Sequence, residues 1–237
     1  FRMFPNALQK QALFRQSGAC RFVWNWALAR RKTYYAEHGK GISRSQLSSE
    51  LTALKEQPDT AWLKEVDSQA LQQVLADLNR AYVNFFERRA CFPRFKSRKK
   101  CRPSFRIPQR IRIDSGKVYV PKIGFVSVRQ SQDIDGDMKS ATFKQDTCGK
   151  WHVTLVIAFT MPDVSLPIPN PLKVVGLDAG LGSFLVLSNG ESPTEAPKFY
   201  RKAQKRLRRA QRVFSRRKSG SNRRAKAKNR VARIHQK

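Results

Sequence analysis

Residues 173–190, KVVGLDAGLGSFLVLSNG, place two apolar runs on either side of a glycine-rich turn that begins with Asp178. The first run predicts a buried strand with Asp178 at its tip. The turn is not a dinucleotide-binding loop, because position 185 is leucine where GxGxxG requires a third glycine. Two interpretations stay open from these residues alone: an ordinary Asp–Gly turn, or a carboxylate that holds Mg²⁺ against a phosphodiester.

The charge of the whole chain points to a polyanionic partner. The 237 residues include 48 lysines and arginines against 17 acids, a formal net charge of +31. Such a field concentrates nucleic acid. No apolar run approaches the roughly 20 residues of a membrane span, and no charged-then-apolar leader opens the sequence, so a soluble cytoplasmic protein is expected. The four cysteines form no CxxC pair and the three histidines are scattered, which argues against a zinc ribbon in these residues.

Charge and hydrophobic periodicity divide the chain into segments. Residues 37–87 hold eight acids and five bases, and residues 5–89 have the apolar spacing of helices. We expect a helix break near Gly18, a capping box of Ser43 with Gln46, and an N-cap at Ser68. Short alternating runs between residues 117 and 160 predict a small antiparallel barrel or sandwich, and the proline-rich segment after it predicts a linker.

The C-terminal segment is cationic throughout. Residues 198–237 contain 18 lysines and arginines and no acid, yet apolar residues recur at helical spacing. This pattern predicts one helix with a thin docking face and a broad cationic face. A phosphate backbone is the natural counter-charge for that face.

Several long motifs in this chain resemble the TnpB family of transposon-encoded RNA-guided DNA nucleases, relatives of the Cas12 effectors. VVGLDAGLGSFLVLSNG resembles the first motif of a RuvC-type nuclease domain, and FPNALQKQALF, CRFVWNWAL, WLKEVDSQALQQVLADL and FPRFKSR stand in the family's order. The resemblance implies a multidomain α+β fold in four parts. These are an OB-like antiparallel β-barrel called the wedge (1–4 and 90–165), a helical recognition bundle (5–89), a linker (166–172), and the start of an RNase H-like RuvC α/β domain with a basic helix (173–237).

The resemblance also implies a function. A TnpB-like protein binds a guide RNA made from the transposon end, recognises a short motif beside its double-stranded DNA target, and cleaves the DNA by Mg²⁺-dependent hydrolysis. It is expected to act as a monomeric ribonucleoprotein in a prokaryotic cytoplasm, associated with the nucleoid.

The same resemblance assigns roles to individual residues. Asp178 corresponds to the first catalytic, metal-binding carboxylate. The positions expected to recognise the DNA motif are polar residues of the helical segment: Arg44, Ser48, Ser68, Gln69, Gln72 and Gln73. The positions expected to contact RNA or DNA backbones are cations: Arg94, Lys96, Arg98, Lys99, Lys100, Lys205, Arg208, Arg209, Arg212, Arg216 and Arg217.

One departure from the family limits what these residues can do alone. The family's second and third carboxylates and its zinc ribbon are not present, and we expect Glu191 and Glu195 to lie in a loop. We therefore expect an N-terminal part of the nuclease, with Zn²⁺ only in a ribbon outside these residues. Two alternatives stay open: an inactive RNA-guided DNA-binding protein or repressor, and a basic RNA-packaging protein, which leaves the acidic helical segment and GLDAG unexplained.

Overall fold

The computed structural model describes residues 1–160 and 174–236. The chain forms two compact units, Phe1–Thr160 and Met161–Lys237, and each is described by itself. The predicted linker, residues 166–172, lies outside the described residues. The predicted domain boundaries at residues 4, 89 and 165 stay predictions. Within the described ranges, every helix falls short of the length and apolarity that a bilayer span demands.

The first unit begins with a short strand, β1 (Arg2–Met3), and a 32-residue helix, α1 (Ala7–His38). Asn6 and Gln9 form a capping box at its start, and Gly39 ends it with a φ of 65°. The break expected near Gly18 is wrong, because the helix continues through that residue. Glycine weakens a helix by about 1 kcal/mol relative to alanine, and the buried neighbours Ser17 and Ala19 show that tertiary packing overrides this penalty.

Two further α-helices complete the helical part: α2 (Arg44–Glu56) and α3 (Ser68–Phe86), separated by a 3-10 helix over Pro58–Glu65. The capping box of Ser43 with Gln46 is confirmed. The N-cap of α3 is Asp67 instead of Ser68, and its carboxylate accepts a hydrogen bond from the Ala70 amide at 2.9 Å. The predicted N-cap is therefore one residue C-terminal to the actual N-cap.

A buried amide joins α1 to the start of α3. The Asp67 backbone N–H donates to Oε1 of Gln16 at 2.8 Å, and Nε2 of Gln16 donates back to the Asp67 carbonyl at 3.5 Å. Gln16 is only 2% exposed, and an unpaired buried amide would cost roughly 1–3 kcal/mol. This reciprocal pair therefore fixes where α3 begins relative to α1.

The sheet of the first unit has seven antiparallel strands in the order β2-β6-β7-β1-β5-β4-β3. Strand β1 pairs with both β5 and β7, and so joins the two halves of the sheet. The expected barrel is not closed among the described residues, since β2 and β3 are the two edges. The strands after β1 are β2 (Ser104–Ile107), β3 (Arg112–Asp114), β4 (Lys117–Val120), β5 (Gly124–Arg129), β6 (Asp137–Gln145) and β7 (Trp151–Ala158).

The helices and the sheet of the first unit share one core. The rings of Phe105 and Phe143 stack at a centroid separation of 5.0 Å, across the β2–β6 pair. Trp151, which is 1% exposed, meets Phe14 of α1 edge-on at 5.6 Å. The core therefore packs α1 against the strands.

The second unit contains a three-stranded antiparallel sheet and two helices. The strands are β8 (Leu177–Asp178), β9 (Ser183–Leu187) and β10 (Thr194–Glu195), in the order β10-β9-β8. The strand expected to end at Asp178 is present as β8, but its expected burial is wrong, because Leu177 is 68% exposed. Glu195 belongs to β10 and not to a loop. The assignment of this sheet to an RNase H-like domain stays a prediction.

The cationic tail forms two helices, α4 (Phe199–Ser215) and α5 (Asn222–His235), instead of the single helix expected. Gly220 adopts a φ of 80°, and the Ser221 hydroxyl caps α5 by accepting from the Arg224 amide at 3.2 Å. The apolar stripe is buried between the helices at Leu207, Ala210 and Ala227. Two helices facing each other bury this stripe, which a single helix would leave exposed.

Candidate nucleic-acid interface

Asp178 lies at the end of β8, where the chain turns into β9. Val186 of β9 is the residue paired with Asp178. Two residues before Asp178, the Gly176 amide donates to Oγ of Ser188 at 2.8 Å. Asp178 is exposed. A Cβ at Gly180 would lie 3.2 Å from the Ser183 carbonyl oxygen, which is tighter than most real contacts. Glycine at position 180 therefore lets the turn fold closely beside the carboxylate.

A magnesium ion needs more oxygen ligands than Asp178 can supply. Protein-bound Mg²⁺ takes near-octahedral geometry, with carboxylates, substrate phosphates and water around it. Within residues 1–160 and 174–236, no group of three histidines, cysteines, aspartates or glutamates is placed to hold a metal ion. The described residues therefore hold no complete magnesium site around Asp178, and its metal-binding role stays a prediction.

The residues predicted to recognise DNA lie on α2 and α3, and one hydrogen bond brings the two groups together. The Ser48 hydroxyl donates to Oε1 of Gln72 at 3.0 Å. Arg44 is one helical turn before Ser48, and Ser68 is one turn before Gln72, so these four positions share neighbouring faces.

The remaining pair, Gln69 and Gln73, follows the same one-turn spacing on α3. Nε2 of Gln73 donates to Oδ1 of Asp77 at 2.8 Å, and Arg106 of β2 also bonds to that oxygen. Gln73 is thus held by the Asp77 carboxylate, whose ion pair with Arg106 no sequence pattern indicated. The role of these side chains in DNA recognition stays a prediction.

The cationic loop, residues 92–103, is held against α1 by side chains of the helix. The Trp24 indole donates to the Arg94 carbonyl at 3.0 Å. The Asn25 amide donates to the Lys96 carbonyl at 2.9 Å and accepts from the Lys96 backbone N–H at 2.8 Å. A segment without regular structure is therefore given a defined backbone path.

Lys96 differs from the other predicted backbone contacts in this loop. Its ammonium lies 3.6 Å from the centre of the Trp24 ring, and burial lowers its pKa below the ordinary lysine value. Its side chain therefore contributes to packing as well as charge. The other predicted cations of the loop are exposed: Arg94, Arg98, Lys99 and Lys100.

The hairpin of α4 and α5 lies in a segment, residues 198–237, that carries 18 lysines and arginines and no acid. A cleft of about 590 Å³ between the two helices is lined by Arg206, Arg209, Arg230 and Arg233. Sequence reasoning missed the contribution of α5, although the Ser-Gly-Ser of residues 219–221 is a turn signal. The residues predicted to contact phosphates from α4 and its end are all exposed: Lys205, Arg208, Arg209, Arg212, Arg216 and Arg217.

Known proteins resemble this chain at both ends and over most of its length. Residues 157–237 match a family described as "Probable transposase", and residues 1–40 match one described as "Helix-turn-helix domain". A protein of Escherichia coli named "Putative RNA-guided DNA endonuclease InsQ" is 39% identical over 209 residues, 87% of this chain and 50% of that protein. A Streptomyces pristinaespiralis protein named "Putative RNA-guided DNA endonuclease" is 36% identical over 242 residues, 100% of this chain and 59% of its own.

Two further likenesses are more limited. "Virulence protein VsdF" of Salmonella dublin is 35% identical over 103 residues, 40% of this chain and 87% of that protein. A solved structure titled "Cryo-EM structure of CRISPR-Cas12f Ternary Complex" aligns with a TM-score of 0.40 at 15% identity, over 95% of this chain and 56% of that one. The chain spans 50% and 59% of the two curated endonuclease relatives.

Proposed function

Because the chain belongs to the TnpB family of transposon-encoded proteins, we propose that it forms the guide-binding and target-recognising part of an RNA-guided DNA endonuclease. The observation that carries this proposal is the 39% identity, over 87% of the chain, to a protein named for that activity. The implied partners are a guide RNA from the transposon end and target double-stranded DNA. The complex would be a monomeric ribonucleoprotein beside the prokaryotic nucleoid.

The distribution of charge supports a division of labour within the protein. The described ion pairs cluster in the helical part, as between Arg30 and Glu50 at 2.8 Å and between Arg15 and Glu65 at 2.5 Å. In contrast, residues 92–113 and 198–237 contain no acid. Base pairing with a guide supplies most sequence information in such systems, so the protein needs many phosphate contacts and few base contacts.

The polar face of α2 and α3 is the part we assign to the target-adjacent DNA motif. Glutamine and arginine address adenine and guanine edges with paired hydrogen bonds. Gln69 and Arg44 carry no hydrogen bond to other described side chains, whereas Gln72 already accepts one from Ser48. Exposed Arg44 and half-buried Gln69 are therefore better placed than Gln72 to reach a base.

Asp178 is the residue we assign to catalysis. In a completed RuvC domain it would supply one carboxylate ligand to Mg²⁺, and a bound Mg²⁺ activates water and neutralises charge on the phosphodiester. Asp178 is exposed, so its carboxylate is accessible to a metal ion and a polynucleotide. The remaining ligands would come from polypeptide that corresponds to the further length of the relatives.

Sequencing the RNA that copurifies with the protein is the direct test of guided binding. One discrete RNA from a transposon end is the expected result, because a guide must be specific to its element. A broad sample of cellular RNA would overturn the proposal and favour a general RNA-packaging role.

The catalytic assignment needs a second experiment. The chain is joined to the C-terminal portion of the Escherichia coli relative and supplied with guide RNA, target DNA and Mg²⁺. Cleavage is expected, and Asp178→Ala should abolish it while guide binding is retained; Glu191→Ala is the matched control. Target binding with no cleavage in the unmutated chimera would support the inactive alternative, and cleavage by Asp178→Ala would refute the assignment.

A further inference from the structure

An aromatic groove lies between α1, α3 and the cationic loop, and neither the predicted roles nor the proposed function uses it. It encloses about 540 Å³, which is within the range of small-ligand sites. Its main lining residues are Lys32, Tyr35, Tyr82, Phe85, Phe86 and Phe92.

The rings of this groove are arranged as a connected surface. Phe92 meets Tyr82 edge-on at 5.4 Å and Phe85 edge-on at 5.2 Å, and Phe86 lies 5.4 Å from Phe85. Tyr35 and Phe86 are 63% and 73% exposed. Large aromatic rings with this much solvent exposure cost solvation free energy, and clusters of such rings mark interaction sites on protein surfaces. The groove therefore has the shape of a platform and not of a filled core.

Cations stand among these rings. The Lys32 ammonium lies 5.3 Å from the ring centre of Phe92 and 5.1 Å from that of Phe95. The Arg31 guanidinium lies 4.7 Å from the Tyr82 ring. Positive charges thus lie beside aromatic rings in and next to the groove, which is the combination that single-stranded nucleic-acid sites use for bases and phosphates.

The platform is preorganised by contacts already described. Trp24 and Asn25 hold the backbone of the cationic loop at Arg94 and Lys96, one to four residues from Phe92 and Phe95. These rings therefore do not have to be ordered when a ligand binds. A preorganised site loses less affinity to conformational entropy.

We propose that the aromatic groove binds unpaired nucleotides, whose bases stack on Tyr35 and Phe86 while their phosphates face the cationic loop. Charge favours this occupant over an apolar protein segment or a second copy of the chain. Residues 92–113 carry nine lysines and arginines and no acid, so a second +31 chain would be repelled there. The inference rests on the proposed function only for the identity of the bound strand, which would be the guide RNA or the DNA strand displaced from the target.

The test compares a double variant with a matched control. Tyr35→Ala/Phe86→Ala removes two exposed rings from the groove, and Phe125→Ala removes a 52% exposed ring from β5. Affinity is measured for oligoadenylate RNA and oligodeoxyadenylate of about 15 nucleotides, for an abasic strand of the same length, and for a duplex. Thermal melting shows that both variants are folded.

The expected result is a loss specific to bases. Each lost stack should weaken binding of the adenine strands by at least about fivefold, while abasic and duplex binding stay unchanged and the control behaves as wild type. A loss confined to RNA or to DNA identifies the natural strand. Equal loss on the abasic strand, no loss at all, or a dimer in sedimentation that the double variant dissociates would each overturn the proposal. The guide-RNA sequencing is independent, so the two can fail separately.

Discussion

Replacing Asn25 by alanine should loosen the cationic loop and destabilise the first unit. Asn25 makes two part-buried hydrogen bonds to the Lys96 backbone, at 2.9 and 2.8 Å. Each bond contributes about 1 kcal/mol net, and the Lys96 peptide groups left without a partner raise the total to about 2–3 kcal/mol. For a chain of this length, that corresponds to a fall in melting temperature of roughly 5–10 °C.

Two measurements check this expectation. Urea unfolding followed by tryptophan fluorescence gives the change in free energy of unfolding, because Trp24 packs against the same loop. Hydrogen exchange at the Lys96 amide reports the local opening directly, since Asn25 is its acceptor.

Aspartate at position 25 is the matched control. Asn25→Asp keeps an acceptor for the Lys96 N–H but removes the donor to the Lys96 carbonyl, so we expect about half of the loss seen with alanine. A free energy of unfolding for Asn25→Ala within about 0.5 kcal/mol of wild type is the level of a neutral surface change. If that is found, and the Lys96 amide exchanges no faster, the loop is not held by these bonds.

Three further outcomes are expected. Gly136→Ala should lower the free energy of unfolding in urea by more than about 2 kcal/mol. Gly136 has a φ of 106°, and an added Cβ would lie 2.4 Å from a carbonyl oxygen of β7. Unchanged stability would contradict the described turn. Burial raises the pKa of the Cys20 thiol to about 12, so alkylation at pH 8 should modify exposed Cys91 and spare Cys20. Mass spectrometry of peptides measures this, and rapid labelling of Cys20 would refute its burial. Arg208→Gln/Arg212→Gln should reduce the magnitude of the salt dependence of single-stranded RNA binding by about 1.4 in log–log slope, and an unchanged slope would mean that α4 does not contact phosphates.

Local signals in the sequence predicted local structure well. The capping box of Ser43 needs only a hydroxyl and a glutamine three residues apart, so it was visible in the sequence and is present. The alternating runs that became β6 and β7 were predicted for the same reason, since a strand repeats every two residues. Gly18 misled the prediction, because its helical state depends on packing by residues far along the chain.

The candidate site was predictable in its residue types and not in its geometry. The resemblance to the family pointed to phosphate contacts by Arg98 and Arg208, and both side chains are exposed. It could not show that Lys96 packs on Trp24, since 72 positions separate them and no periodicity links a loop to a helix face. The aromatic groove was missed for the same reason: its rings come from three segments, and each ring taken singly is typical of a core residue.

The central position of β1 sets a condition on how this protein is made. Arg2 pairs with His152 and Arg129, so the strand that unites the two halves of the sheet must wait for partners about 150 residues later in synthesis. At the usual 5–20 residues per second, that delay is about 8–30 s on the ribosome. During that time β1 has no partner strand, so nascent chains of this protein should depend on chaperones until residue 158 has emerged.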